Sequence, residues 1–465
     1  MADFENVTNR TLPQLDRRQR LEAGKAHRKV RPIEDLAELP QTDVRADPVG
    51  ILRSQDEFRQ QKLVPIRHGR MSATAFTFYR GGAAIMAADL AMTPRTDLDV
   101  QLCGDAHLSN FGLFNGADRS LIFDLNDFDE TLPGPFEWDV KRLAASVAIA
   151  ARNNDHSSKK VRAAATAAAS AYKDIIERAS VLNPLDLHYF RLGVEEIVTT
   201  VSGKSRKRAD KQVKKATRKN SMRALDKLTE VVDGKRVIVS DPPLITKMDE
   251  EAKAARLPHL KAFLHAYLET LPLHRRLLLE RYELVDLAHK VVGVGSVGTR
   301  CWILLLMTAD GAPLFLQFKQ ATDSVLEPHV QPSRFEQAGE RVVQGQRMMQ
   351  ASGDLFLGWS RFRVDDERTA DFYFRQLWDG KGSADVDLMG PNRLRRYAAA
   401  CGGALALAHA RSADAAIISG YLGDSEAFDE AIADFSVGYA DLNESDHTRH
   451  ETAINSGQLE VIKDI

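Results

Sequence analysis

The sequence predicts an α+β protein of two lobes, with helices at both ends of the chain and a β-rich lobe between them. Three observations carry this expectation. Alanine-rich stretches with apolar residues at helical spacing cover Trp138–Arg152, Lys160–Ala179 and Arg393–Arg411. Two runs suited to strands, Thr299–Met307 and Pro313–Lys319, flank Ala309-Asp310-Gly311, as the arms of a hairpin would. The stretch Cys103–Glu130 (CGDAHLSNFGLFNGADRSLIFDLNDFDE) reads as loop, short strand and acidic loop, and it holds the densest chemistry in the chain.

At 465 residues the chain exceeds one ordinary core, and its 44% hydrophobic and 28% charged content is that of a globular protein. A net charge of −2 makes nucleic acid an unlikely obligatory partner. Cys103, Cys301 and Cys401 are far apart and show no C-x-x-C spacing, so a reducing compartment is expected, without a disulfide framework. The polar start MADFENVTNR lacks the apolar core of a secretory signal, and no apolar run has the length of a membrane span. A cytoplasmic protein without a membrane partner is expected.

Taken in order, residues 1–65 read as an N-terminal arm with helical stretches near Leu15–Ala26 and Gln55–Lys62. Residues 66–285 form a helical lobe. It opens with SATAFTFYRGGA, whose aromatic and β-branched content predicts a strand ending in a tight turn. Arg80, beside Gly81 and Gly82, has the planar fork to meet a phosphate or to make a structural salt bridge. Pro133, Gly134 and Pro135 break the chain before the first long helix, where Asp139 has capping as its default role. Lys204–Lys219 is strongly basic and suits a solvated helix face. The stretch through Pro242 and Pro243 looks like a loop, and Leu257–Tyr282 returns to helical periodicity.

Residues 286–380 form the β-rich lobe, expected to bind a nucleotide. Gly293, Gly295, Ser296 and Gly298 lie between two strands, and no helix opens after them as a dinucleotide fold would require. Strand, glycine turn, strand, hairpin and a strand ending in Phe318-Lys319 is the arrangement of a kinase nucleotide lid, with Lys319 pairing the phosphates. A helix Ser333–Ala351 offers Glu336 and Glu340 as carboxylates to orient that lysine, and Glu327 is a third candidate. Asp371–Leu377 is strand-like, and Trp378–Ser383 resembles a linker between lobes. Residues 381–465 supply C-terminal helices packing on the helical lobe, with His409 as a packed helix-end histidine.

The acidic stretch suits phosphoryl transfer. One carboxylate, Asp105, orients the attacking hydroxyl, and an amide oxygen from Asn110 with the carboxylate of Asp124 holds Mg²⁺, a hard cation that selects oxygen ligands. Asp127 or Asp129 is the further metal ligand for a second ion, and His107 shapes the loop or touches substrate. ATP and Mg²⁺ are the expected cofactors, with an unidentified hydroxyl acceptor as partner. Two rivals stand beside this reading. One is a nucleotide-binding regulator, or a nucleotidyl transferase, on a degenerate fold. The other is a metal-dependent hydrolase using Asp105, His107, Asp124 and Asp127.

GDAHLSNFG and FDLNDFDE resemble the catalytic and metal-binding loops of aminoglycoside phosphotransferases and choline kinases, relatives of the protein kinases. The resemblance implies Asp105 as catalytic aspartate, Asn110 and Asp124 as metal ligands, Asp139 as a brace for the catalytic loop and Lys319 as the phosphate lysine. The lid follows the catalytic loop here instead of preceding it, so the implied fold is a circularly permuted protein kinase-like one. Arg300 also departs, standing where kinases carry an apolar residue against adenine. Taken whole, MSATAFTFYRGGA, GDAHLSNFG, FDLNDFDETLPGPFEWDVKRLAAS, VVGVGSVGTR, FLQFKQATDSVLEPH and FYFRQLWDGKGS resemble a bacterial family known only as domain of unknown function 2252, over roughly residues 45–440.

Overall fold

The computed structural model describes residues 15–191, 221–248, 250–363, 368–377 and 382–463. Within them the protein is a mixed α+β fold with many helices. The first helices are α1 (Arg17–Val30), α2 (Pro48–Asp56), α3 (Val64–Met71), α4 (Ala75–Gly81) and α5 (Ala83–Leu90). Four short strands follow, β1 (Asp99–Leu102), β2 (Phe111–Asn115), β3 (Leu121–Leu125) and β4 (Leu132–Pro135), leading into α6 (Phe136–Asn153), α7 (Ser158–Ser180) and α8 (Pro184–Tyr189). Next come α9 (Ser221–Leu228), the hairpin of β5 (Thr229–Val232) and β6 (Lys235–Ile238), β7 (Ile245–Lys247), α10 (Glu250–Glu269) and α11 (Leu273–Leu279). The sheet strands β8 (Glu283–Lys290), β9 (Cys301–Met307) and β10 (Pro313–Ala321) precede α12 (Ala338–Met349), β11 (Gly358–Arg363), β12 (Thr369–Gln376) and β13 (Gly382–Ser383). The chain then forms α13 (Pro391–Ser412), α14 (Ala415–Leu422) and α15 (Ala427–Asn455).

Alanine content explains the helical core. α6 is buried from Phe136 to Ala151, so small side chains let neighbours close on every side. α7 and α13 cross so closely that a Cβ on Gly402 would lie 2.1 Å from the Ala168 carbonyl oxygen. Phe428, Ile432 and Phe435 of α15 complete the same core.

The large sheet is antiparallel throughout, in the order β11-β12-β10-β9-β8-β7. Alternation along its strands builds two faces. Leu314, Leu316 and Phe318 of β10 join Leu304, Leu306, Phe372 and Phe374 against Phe263 and Tyr267 of α10. On the opposite face, Phe315, Ile303, Leu305 and Ala288 are covered by Ala224, Leu225 and Leu228 of α9. α12 joins sheet to helices, since Val342, Val343 and Met349 sit in the helical core cluster. β13 pairs with β2, and β2 pairs with β3.

Several local expectations are corrected. The stretch SATAFTFYRGGA is helical, not a strand. Thr74 and Thr77 form a capping box that starts α4, and Phe76, Phe78 and Tyr79 are buried by neighbouring helices whatever the backbone's propensity. The stretch after residue 220 holds α9 and the β5–β6 hairpin as well as the turn at Pro242-Pro243. α12 begins at Ala338, five residues later than the sequence suggests. Asp139 does not cap α6: the cap position is Pro135, with no side-chain bond, and the carboxylate serves the preceding loop instead. Lys204–Lys219 and most of the Trp378–Ser383 linker lie outside the described residues.

Candidate functional site

The loop after β1 is built around Asp139. Its carboxylate accepts from the backbone N–H of Cys103 at 2.6 Å and of Gly104 at 3.0 Å. His409 Nε2 of α13 lies 3.2 Å from the same carboxylate, and the Tyr172 hydroxyl of α7 is 2.9 Å from His409 Nδ1. Gly104 is required, because its φ is +82° and a Cβ would stand 2.4 Å from the Glu130 carbonyl oxygen. Three helices thus fix where the loop begins, and its next residue is Asp105.

Arg142, on α6 beside Asp139, donates to Asp105 Oδ1 through Nε at 2.9 Å and Nη2 at 2.7 Å, with its guanidinium 4.0 Å from the centre of the Tyr79 ring. Burial raises the Asp105 carboxyl above its usual range, despite the nearby charges of Arg142 and Arg80. His107 is buried with Nδ1 accepting from the Ser109 N–H at 3.2 Å, which leaves Nε2 facing Asp105 Oδ2 at 3.7 Å. Burial, with Arg80 and Arg142 close by, pushes its pKa well down, so the ring is neutral. Asn110 donates through Nδ2 to the Asp105 carbonyl at 2.7 Å and closes the loop.

The second half of the site comes from the sheet. Lys319 of β10 is 2% exposed and forms an ion pair with Asp129. Its ammonium also donates to Ser296 Oγ at 2.6 Å, and the Tyr373 hydroxyl donates to Asp129 Oδ1 at 2.8 Å. Burial would lift the Asp129 carboxyl, but Lys319 and Tyr373 outweigh it and hold it below the usual range. The same pair works on Lys319 in reverse: burial disfavours its charge, and Asp129 holds the pKa above normal. Arg341 of α12 donates to the carbonyls of Thr131 at 2.7 Å, Asp129 at 2.7 Å and Thr322 at 2.8 Å, and so holds the acidic loop against the sheet. Glu130 accepts from the Val325 N–H at 2.8 Å, and burial pushes its pKa up to about 7.

The glycine turn lies between β8 and β9, with φ of +69° at Gly293 and +93° at Gly298. The N-terminal helical region pins it. Arg70 donates to the Gly293 carbonyl at 2.6 Å, Arg59 to the Val297 carbonyl at 2.6 Å, and the Gln60 N–H to the Gly298 carbonyl at 2.8 Å. Val294 is buried with Leu52, Met71, Phe78 and Ile85. At Gly295 a Cβ would meet the Arg80 carbonyl oxygen at 3.3 Å, so the end of α4 touches the turn. The Arg80 guanidinium is influenced by Asp105 and Asp387, and its buried Nε has no hydrogen-bond partner among the described residues.

Of the residues singled out in the sequence, Asp105, His107, Asn110, Arg80, the glycine turn with Ser296, and Lys319 gather in this region. Asp127 joins them, because its charge acts on Lys319, Tyr373 and Arg375. Asp124 does not. Its carboxylate accepts from the Leu125 N–H at 2.9 Å and lies 3.9 Å from Arg411, where burial pushes its pKa up to about 6. Glu336 is exposed and pairs with Arg361, and Glu327 lies 3.9 Å from Arg341. Neither they nor Glu340 is paired with Lys319, because the Asp-rich loop reaches the ammonium before any carboxylate of α12 can. Sequence reasoning missed Arg142, Arg341 and Tyr373 and left Asp129 a secondary candidate. A signal for Arg142 was available: Glu137, Asp139, Lys141 and Arg142 crowd the start of a helix whose continuation, Leu143–Ala151, is apolar but for Ser146. Among the described residues, no group of three or more His, Cys, Asp or Glu side chains is placed to hold a metal ion.

The fold and site define a class: an α+β protein in which a strand lysine, a glycine turn and an Asp-rich loop from the helical region meet. The chain belongs to the bacterial family described as "uncharacterized protein conserved in bacteria (DUF2252)", which it matches over residues 59–453. No curated protein and no solved structure matches it.

Proposed function

We propose that the protein is an ATP- and Mg²⁺-dependent phosphotransferase acting on a hydroxyl of a small molecule or protein, built on a permuted kinase-like fold. The observation that carries this reading is the meeting of Lys319, Ser296 of the glycine turn and Asp129 at one point. Further support comes from the sheet. Its strands β8-β9-β10-β12-β11 are neighbours in that order, the glycine turn joins the first two, the lysine is on the third, and α12 enters before β11.

In this reading Asp105 orients the acceptor hydroxyl and receives its proton, and Arg142 keeps that carboxylate in place. Lys319, Arg80 and the turn at Gly293–Gly298 position the phosphates, so most of the rate enhancement comes from placement and charge stabilisation. Asn110, Asp127 and Asp129 are the residues that would hold Mg²⁺. They fit an ion that uses one or two carboxylates plus phosphate oxygens better than a cage made by protein alone. Mg²⁺ bound there would neutralise the phosphate charge. Asp124 is replaced in that role by Asp129.

One observation favours a second reading, a nucleotide-binding regulator without turnover. The helix after the lysine strand turns Arg341 toward the site where kinases place a glutamate for the lysine.

The test is calorimetric titration of ATP, with and without Mg²⁺, into wild type, Lys319→Ala and Asp127→Asn. Mg²⁺-dependent binding that weakens at least about tenfold in both variants is expected. No binding to wild type would overturn both readings. Binding, with no product across a broad panel of hydroxyl acceptors, would select the second.

A further inference from the structure

The glycine turn fixes the direction in which a nucleotide must lie. Phosphates held by Lys319 and Ser296 occupy the end of the sheet where β8 and β9 are joined by the turn. In the phosphate-binding reading, the base and ribose extend along the face of β10 that carries Lys319. Same-face positions are spaced by two residues of about 3.4 Å rise each, so Gln317 follows about 7 Å from Lys319 and Phe315 about 14 Å. That face is sealed. Gln317 is 2% exposed, accepts from Arg375 Nε at 2.7 Å and donates to Cys301 Sγ at 3.1 Å. Phe315, Ile303, Leu305 and Ala288 are buried in one cluster with Ala224, Leu225 and Leu228 of α9, Ile238 of β6, Ile245 of β7 and Leu377. The unit is anchored to the sheet by the hairpin behind it, where the Ile238 N–H donates to Asp286 Oδ2 at 2.8 Å. A flat apolar base needs a concave apolar slot. Here the apolar surface beyond the lysine is already buried under a helix of the chain itself.

We infer that α9 is a built-in occupant of the base end of the site: in the resting protein that end is filled by the chain itself, and a nucleotide enters fully when α9 lifts. This inference rests on the phosphate-binding reading of Lys319 and the glycine turn. Lifting α9 subtracts from the apparent affinity for any ligand that carries a base and leaves a bare polyphosphate unaffected.

The probes are ATP and inorganic tripolyphosphate, each with Mg²⁺, titrated into wild type, Lys319→Ala and the double variant Leu225→Ser/Leu228→Ser. Loosening α9 is expected to raise ATP affinity about tenfold and to change tripolyphosphate affinity less than about twofold. A second measurement needs only wild type: saturating ATP should speed hydrogen exchange of the α9 amides at least about threefold, and saturating tripolyphosphate should not. ATP that binds in a Lys319-dependent way while α9 exchange stays unchanged or slows would overturn the cap and leave the phosphate site standing. Tripolyphosphate binding that is absent, or indifferent to Lys319→Ala, would overturn the phosphate site and the cap with it.

Discussion

Asp124 offers the cleanest chemistry at the scale of one residue. It is buried, and its folded pKa of about 6 lies above the ordinary 3.8. A raised carboxyl pKa means the folded state holds the proton longer than the unfolded chain. Its stability contribution is thus complete below about pH 4 and is lost as pH rises through 6. Asp124→Asn should flatten the unfolding free energy between pH 4 and 7, relative to wild type, by roughly 2–3 kcal/mol in urea titrations. A slope unchanged from wild type would contradict this assignment of its burial. Lys319 behaves differently, because it is compensated. Lys319→Ala strands the Asp129 carboxylate and should cost roughly 2–4 kcal/mol, discounted for the partial exposure of Asp129, while Lys319→Met/Asp129→Asn together should recover most of it. The motif types and spacings made Lys319 and Asp105 legible in the sequence. The pairing of Lys319 with Asp129 was not, since an ion pair 190 residues apart leaves no local pattern.

Elements were legible where period and composition agreed. α6, α7 and α13 follow from alanine content and helical spacing, and the β9–β10 hairpin follows from its glycine turn. α4 was not, because aromatic residues suited to a strand are carried by a two-turn helix whose burial on neighbours overrides propensity. Close crossing was equally invisible: nothing in the string around Gly402 announces that α7 passes there. Gly402→Ala should destabilise the protein by at least about 1–3 kcal/mol in thermal or denaturant unfolding, since the added methyl meets backbone that cannot rotate away. A near-neutral result would mean that α7 and α13 can separate freely. Beyond the end of β10, Arg341→Lys should hold fewer than its three carbonyls and loosen the acidic loop. The expected readout is faster hydrogen exchange around Asp129–Thr131 with the exchange of α6 unchanged.

The whole molecule is closed by contacts between its two ends. Arg45 of the N-terminal region donates to Asp89 of α5 at 2.6 Å and to Asp446 of α15 at 2.8 Å, and the Tyr439 hydroxyl meets the same Asp89. The glycine turn is held from the same N-terminal region by Arg59 and Arg70, so the turn and that region are mechanically linked. Arg59→Ala/Arg70→Ala should release the turn, and exchange at Val294–Thr299 should rise at least about tenfold while the α13 amides stay protected. The mixed α+β class followed from segment patterning alone. Which strands neighbour which did not, because that order depends on pairing across long insertions.

The order of these pieces along the chain has a consequence for synthesis. Asp129 and Asp139 leave the ribosome long before Lys319, Arg341 and His409, which neutralise or orient them. At about 5–20 residues per second, the 190 residues between Asp129 and Lys319 correspond to roughly 10–40 s of translation. During that interval the nascent Asp129 carboxylate lacks the Lys319 ammonium and must stay hydrated. Folding of the centre is therefore a late, near-terminal event, and a message truncated after β12 would release a chain whose α6 lacks its α13 and α15 cover.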